Sequence, residues 1–98
     1  MDFKVIWSEN AIGDLRELCA FIASQNPEAA QRMRHGILDH VRVLATFPFI
    51  GPNYPRGAHG TLRMIVFRFY RIFNDVSEEA RKVEILHVWH AAREEPTF

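Results

Sequence analysis

Arg63, Arg71, His87, His90 and Arg93, all in the C-terminal half, are the side chains whose types and spacing could do chemistry. Guanidinium groups present a planar fork that matches carboxylates and phosphates. Histidine titrates near pH 6.5 and can give or take a proton at neutral pH. One chemistry these groups could perform is phosphodiester cleavage, which needs a proton acceptor, a proton donor and positive charge at the phosphate. The same groups could instead dock an acidic or nucleic-acid partner. The stretch HVWHAAR, residues 87–93, poses the choice most sharply, because two histidines, Trp89 and Arg93 end a strand-like run. His35, His40 and His59 show no metal-ligand spacing with Cys19, so no zinc site is expected. The sequence RGAHG neither follows a strand nor opens a helix, so it is no phosphate cradle. No cofactor is expected.

The elements that must position these residues fit one domain spanning residues 1–98. With 48% hydrophobic and 24% charged residues the chain reads as globular rather than disordered. The formal net charge is zero, yet ten of the twelve basic residues are arginine. Arg56, Arg63, Arg68, Arg71, Arg81, Lys82 and Arg93 crowd the second half, so its strands should be locally basic. The single cysteine, Cys19, lies within a helical pattern and excludes a disulfide framework, in keeping with a reducing cytoplasm. MDFKVIWSEN has no apolar core of a signal peptide, and no run approaches a membrane span.

FKVIW, residues 3–7, is β-branched and aromatic and predicts a short strand. Ser8 is suited to cap a helix over residues 9–24, whose apolar stripe is Ala11, Leu15, Leu18 and Ile22, widened by Ile12, Cys19 and Ala23. Asn26, Pro27 and Glu28 then restart a helix over 27–46, with Ala30, Met33, Ile37, Val41 and Leu44 on one face. The short link makes an antiparallel helical hairpin. Residues 48–60 hold three prolines and three glycines and read as a loop wrapping the surface. Strands are predicted at 61–67, 69–75 and 82–90. The order is β-α-α-β-β-β, an α+β fold. It should place an antiparallel meander, with the first strand at one of its edges, against the helical hairpin.

Strand alternation assigns Leu62, Met64, Val66, Tyr70, Ile72, Leu86 and Val88 to the helix-covered side. Arg63, Ile65, Phe67, Arg71, Phe73, Ile85, His87 and Trp89 then share the opposite, open face. That face is too apolar for water and carries two arginines, which marks it as a docking surface. His90 should turn inward and bond the helices or the turn that follows.

VIWSENAIGDLREL, NPEAAQRM, LATFPFIGP, LRMIVF with YRIF, and ILHVWHAAR, taken in this order, resemble the RelE/ParE superfamily of bacterial type II toxins, also called plasmid-stabilisation proteins. The resemblance covers nearly the whole chain. It implies a cytoplasmic toxin held in a hetero-oligomer by a cognate antitoxin whose C-terminal region wraps it. The RelE-like branch cuts mRNA on the ribosome. In that branch Arg63, Arg71 and Arg93 match basic positions, the late tyrosine is replaced near Phe98, and His87 or His90 would move the proton. The ParE-like branch poisons DNA gyrase by protein contact, without nuclease chemistry. The ending His90-x-x-Arg93, the FPFIGP exit and the missing tyrosine resemble this branch more. In it Arg63, Ile65, Phe67, Arg71, Phe73, His87, Trp89, His90 and Arg93 are antitoxin- or target-binding residues. An inactive relative that only binds its antitoxin is the third implied reading.

Overall fold

A computed structural model describes residues 2–55 and 61–98. The strands are β1 (Lys4–Trp7), β2 (Leu62–Phe67), β3 (Tyr70–Ser77) and β4 (Lys82–His90). The helices are α1 (Glu9–Ala23) and α2 (Pro27–Arg42), with a 3₁₀ turn at Val43–Ala45. The sheet order is β1-β4-β3-β2. The pairings β2–β3 and β3–β4 are antiparallel, and β1 lies parallel to β4, so the first strand joins the last. The α+β architecture is as the sequence predicts. Which edge β1 takes is not legible from periodicity.

The helix starts are local chemistry. The Ser8 hydroxyl accepts the Ala11 N–H at 3.0 Å, and the Asn26 side-chain oxygen accepts the Ala29 N–H at 3.1 Å with Pro27 in the first turn. Each satisfies a backbone donor that the helix leaves unpaired. Ser8 also anchors α1 to the sheet. Its N–H donates to the Ile85 carbonyl and its hydroxyl to the Leu86 carbonyl. The α2 stripe behaves as its spacing predicts: Ala30, Ile37 and Val41 are buried, Leu44 follows in the 3₁₀ turn, and Met33 packs alongside. On α1 Ile12 departs from the expected stripe and is exposed.

Two strand faces differ from the alternation drawn above. In β2, Ile65 and Phe67 join the helix-side core, while Val66 is exposed. The cause is register. A two-residue turn, Arg68–Phe69, pairs Phe67 with Tyr70 and Ile65 with Ile72, so these four share a face. Arg63 made that face look polar. It sits at the end of the row, where its guanidinium leaves the core and donates to the Gly51 carbonyl at 2.6 Å. In β4, Ile85 is fully buried and Leu86 only half-buried, the reverse of the expectation. Asn74 pairs with Ile85 but Phe73 pairs with His87, so Leu86 is an extra bulged residue. A bulge resets alternation, and Ile85 and Val88 both enter the core.

The loop after α2 covers part of the β2 edge. Tyr54 N–H donates to the Leu62 carbonyl, and Met64 N–H donates to that of Pro52. Gly51 allows this close approach, because a Cβ there would lie 2.8 Å from the Met64 carbonyl oxygen. Gly51→Ala should therefore cost about 1–3 kcal/mol, measured as a fall in the urea midpoint. An unchanged midpoint would mean that the loop is not packed on the edge. His59 and Arg56 lie outside the described residues.

Candidate functional site

The sheet divides the candidate residues rather than collecting them. Arg63 lies on the helix-side row with Ile65 and Phe67, its guanidinium 5.0 Å from the Phe49 ring centroid. Arg71, Phe73, His87 and Trp89 lie on the other face: Phe73 pairs across to His87 and Arg71 to Trp89. His90 is exposed next to Tyr70, and its Nδ1 accepts the Ala92 N–H at 3.0 Å. It bonds the following turn, one of the two partners expected for it, but from the surface rather than turned inward.

The face expected to be open is largely covered. Phe73 is fully buried. Tyr54 from the loop stands 5.1 Å from its ring, and Phe98 stands 5.0 Å from it. Residues 91–98 fold back over β3 and β4 and bury Pro96. The Trp89 indole N–H donates to the Glu94 carbonyl, and the Arg71 Nη2 donates to the Arg93 carbonyl at 3.2 Å. Alternation along a strand says which side a residue faces, but not that a distant segment returns to cover it.

The arginines on this face are held against aromatic rings. The Arg93 guanidinium lies 3.8 Å from the Trp89 ring centroid and that of Arg71 5.4 Å from Phe73, distances suited to cation–π attraction. The Arg71 Nε is buried without a hydrogen-bond partner. Arg71, Arg93, Glu94 and Phe98 border a broad cleft of about 740 Å³.

One partnership escaped the sequence reading. Asp14, on α1, aims a single carboxylate oxygen at two groups of β4. It accepts the Val88 N–H at 3.0 Å and lies 2.9 Å from His87 Nδ1. Both side chains are mostly buried, Asp14 at 17% and His87 at 12% exposure. The carboxylate orients the imidazole by accepting its Nδ1 proton. The residues are 73 apart in sequence, and Asp14 sits among helix residues of ordinary amphipathic type.

Tyr70 lies beneath the end of α1. Burial, with the nearby Cys19 second, pushes its phenol above the ordinary range, so at neutral pH it is a hydroxyl and no base. Burial likewise raises the Cys19 thiol, with Arg34 opposing, which fits an inert packed cysteine. Among the described residues no three His, Cys, Asp or Glu side chains form a metal-binding group, and no helix is long and apolar enough to cross a membrane.

Two helices packed on a four-stranded mixed sheet make a RelE/ParE-like α+β fold. The chain belongs to the family described as ParE toxin of type II toxin-antitoxin system, parDE, whose profile matches residues 5–95. It is thus the toxin component of a type II toxin–antitoxin system. Among solved structures, the chromosomal ParDE system of P. aeruginosa matches with a TM-score of 0.75 at 18% identity, covering 90% of this chain and 95% of that one. The RelBE2 toxin–antitoxin complex of Mycobacterium tuberculosis matches at 0.69 and 20% identity, covering 92% and 99%. The isolated E. coli RelE toxin matches at 0.59 and 20% identity, covering 95% and 88%. These likenesses concern the fold. No curated protein matches the chain significantly.

Proposed function

We propose that the protein arrests growth in the ParE-like manner, by protein contact with DNA gyrase in the cytoplasm, and that a cognate antitoxin neutralises it. The observation that carries this reading is the separation of the arginines. Arg63 and Arg71 lie on opposite faces of the sheet, and Arg63 is committed to the Gly51 carbonyl. Cleavage of a phosphodiester needs its charges and its proton-moving groups around one phosphate. The family match over residues 5–95 supports the same branch. The solved ParDE and RelBE2 assemblies support an antitoxin as partner.

A second reading rests on one observation. Asp14 orients His87 on the face that also holds Arg71, as a proton-moving histidine in a RelE-like ribosome-dependent nuclease would require. Expression in bacteria lacking the antitoxin separates the two. DNA breaks and filamentation with intact mRNA are the expected result. Codon-linked mRNA cuts with intact DNA would overturn the gyrase assignment and make His87 a catalytic residue.

A further inference from the structure

The sheet order leaves β2 at an edge, with β3 on its inner side. An open edge offers unpaired N–H and C=O groups to another strand. Loop residues close the first half of this one. Asn53 bridges Arg63, so that Tyr54 N–H donates to the Leu62 carbonyl and Met64 N–H to that of Pro52. Along a strand the backbone groups of successive residues alternate between the two neighbours. Leu62 and Met64 therefore face outward, Ile65 and Phe67 face β3, and Val66 faces outward again. Among the described residues no loop or side chain bonds the Val66 N–H or carbonyl on that side.

Nothing blunts this part of the edge. Residues 64–67 include no Pro, no Lys and no bulge. The surroundings are apolar. Val66 is 54% exposed, and Val43 and Ile50 are exposed beside it around a recess of about 300 Å³ that Pro52 and Met64 help to line. Unpaired backbone and exposed apolar side chains at one place mark a surface that gains by being covered.

We propose that this edge joins two copies of the chain, β2 to β2, antiparallel about a twofold axis at Val66. Register selects a second copy over an unrelated strand. The open stretch is one outward-facing residue, bounded by Pro52 on one side and by the Arg68–Phe69 turn on the other. An unrelated strand laid along it would meet Pro52 after one pair of bonds. In the twofold pair Val66 faces Val66 of the second copy, and Ile65 faces its Phe67. Because β2 ends at Phe67, the second strand turns away where the loop closes the edge. Each Val66 gives one N–H and accepts one, so the open groups of both copies are satisfied. Charge does not oppose the pairing. Arg68 lies two residues from the axis, so its two copies stand about 13 Å apart along the strands, beyond the screening length of about 8 Å.

The test uses the isolated full chain. In sedimentation equilibrium the 11.4 kDa species should give way to one of twice that mass as concentration rises. Val66→Lys sets two like charges face to face and should weaken the association at least about tenfold, with an unchanged circular dichroism spectrum. Val66→Cys, once oxidised, should cross-link within the pair. Residues directly opposite in such a pair lie about 5.5 Å apart at Cα, inside the range that a disulfide spans. Ile12→Cys, also exposed but on α1, should not cross-link. A monomer at every concentration up to about 1 mM, unaltered association of Val66→Lys, or equal cross-linking of the two cysteine variants would each overturn the proposal.

Hydrogen exchange reports what covers the edge without any variant. The Val66 amide should exchange freely in dilute protein and slow as concentration rises. Protection at every concentration would mean that the chain covers its own edge, and would defeat the pairing. None of these readouts depends on the cellular target.

Discussion

Ile85→Asp should abolish cooperative folding, whereas Leu86→Asp should leave a folded protein weakened by about 1 kcal/mol. The two positions are adjacent, and simple alternation along β4 would reverse the outcomes. Ile85 is fully buried against Val41, Ile37 and the other core residues, with no partner for a charge. An ionised carboxylate there would stay unpaired in an apolar interior or become neutral, and either costs several kcal/mol. A domain of this size has about 5–15 kcal/mol of stability in all, and the aspartate adds a cavity to the charge. Leu86 is the bulged residue, half-buried, so its replacement sacrifices only part of a side chain's burial. Thermal unfolding by circular dichroism reads both. A native transition for Ile85→Asp together with a collapsed one for Leu86→Asp would mean that β4 runs without its bulge.

Asp14→Ala should cost about 2–4 kcal/mol, a large effect for one helix residue. The substitution strips two donors at once. The Val88 N–H loses its acceptor at the edge of β4, past the point where β1 ends, and His87 loses the group that orients it. An amide donor left dry costs about 1–3 kcal/mol, and the lost bonds are charge-assisted. Asp14→Asn keeps an acceptor oxygen and should recover part of the loss, because one bond can still form. Urea denaturation of the three proteins measures the series. A loss below about 0.5 kcal/mol for Asp14→Ala, the range of an ordinary surface substitution, would show that water replaces the carboxylate without penalty.

Local signals carried the elements. Ser8 and Asn26 cap their helices, and the stripe from Ala30 to Leu44 packs against the sheet as its spacing requires. The α+β order was legible for the same reason: each helix and strand announces its own period. Register was not legible, because it depends on the Arg68–Phe69 turn and on a single extra residue at Leu86. Arg63 misled the assignment of β2, since an arginine at the end of an apolar row can escape to carbonyls outside the layer. The Arg–aromatic face was expected to lie open, and the chain itself covers much of it. That the cover includes Tyr54 and Phe98 depends on chain reversal, which leaves no periodic trace.

The pairing of β1 with β4 has a consequence for the birth of the molecule. Ser8 bonds Leu86, 78 residues later, so the strand made first has no neighbour until the strand made last appears. At about 5–20 residues per second the ribosome leaves that gap open for roughly 4–16 s. During this interval the nascent chain can assemble its helical hairpin, but Ile85 and Val88 are missing from the middle of the core. Completion of the sheet, and with it of the Arg71–Trp89 face, waits until β4 has been made.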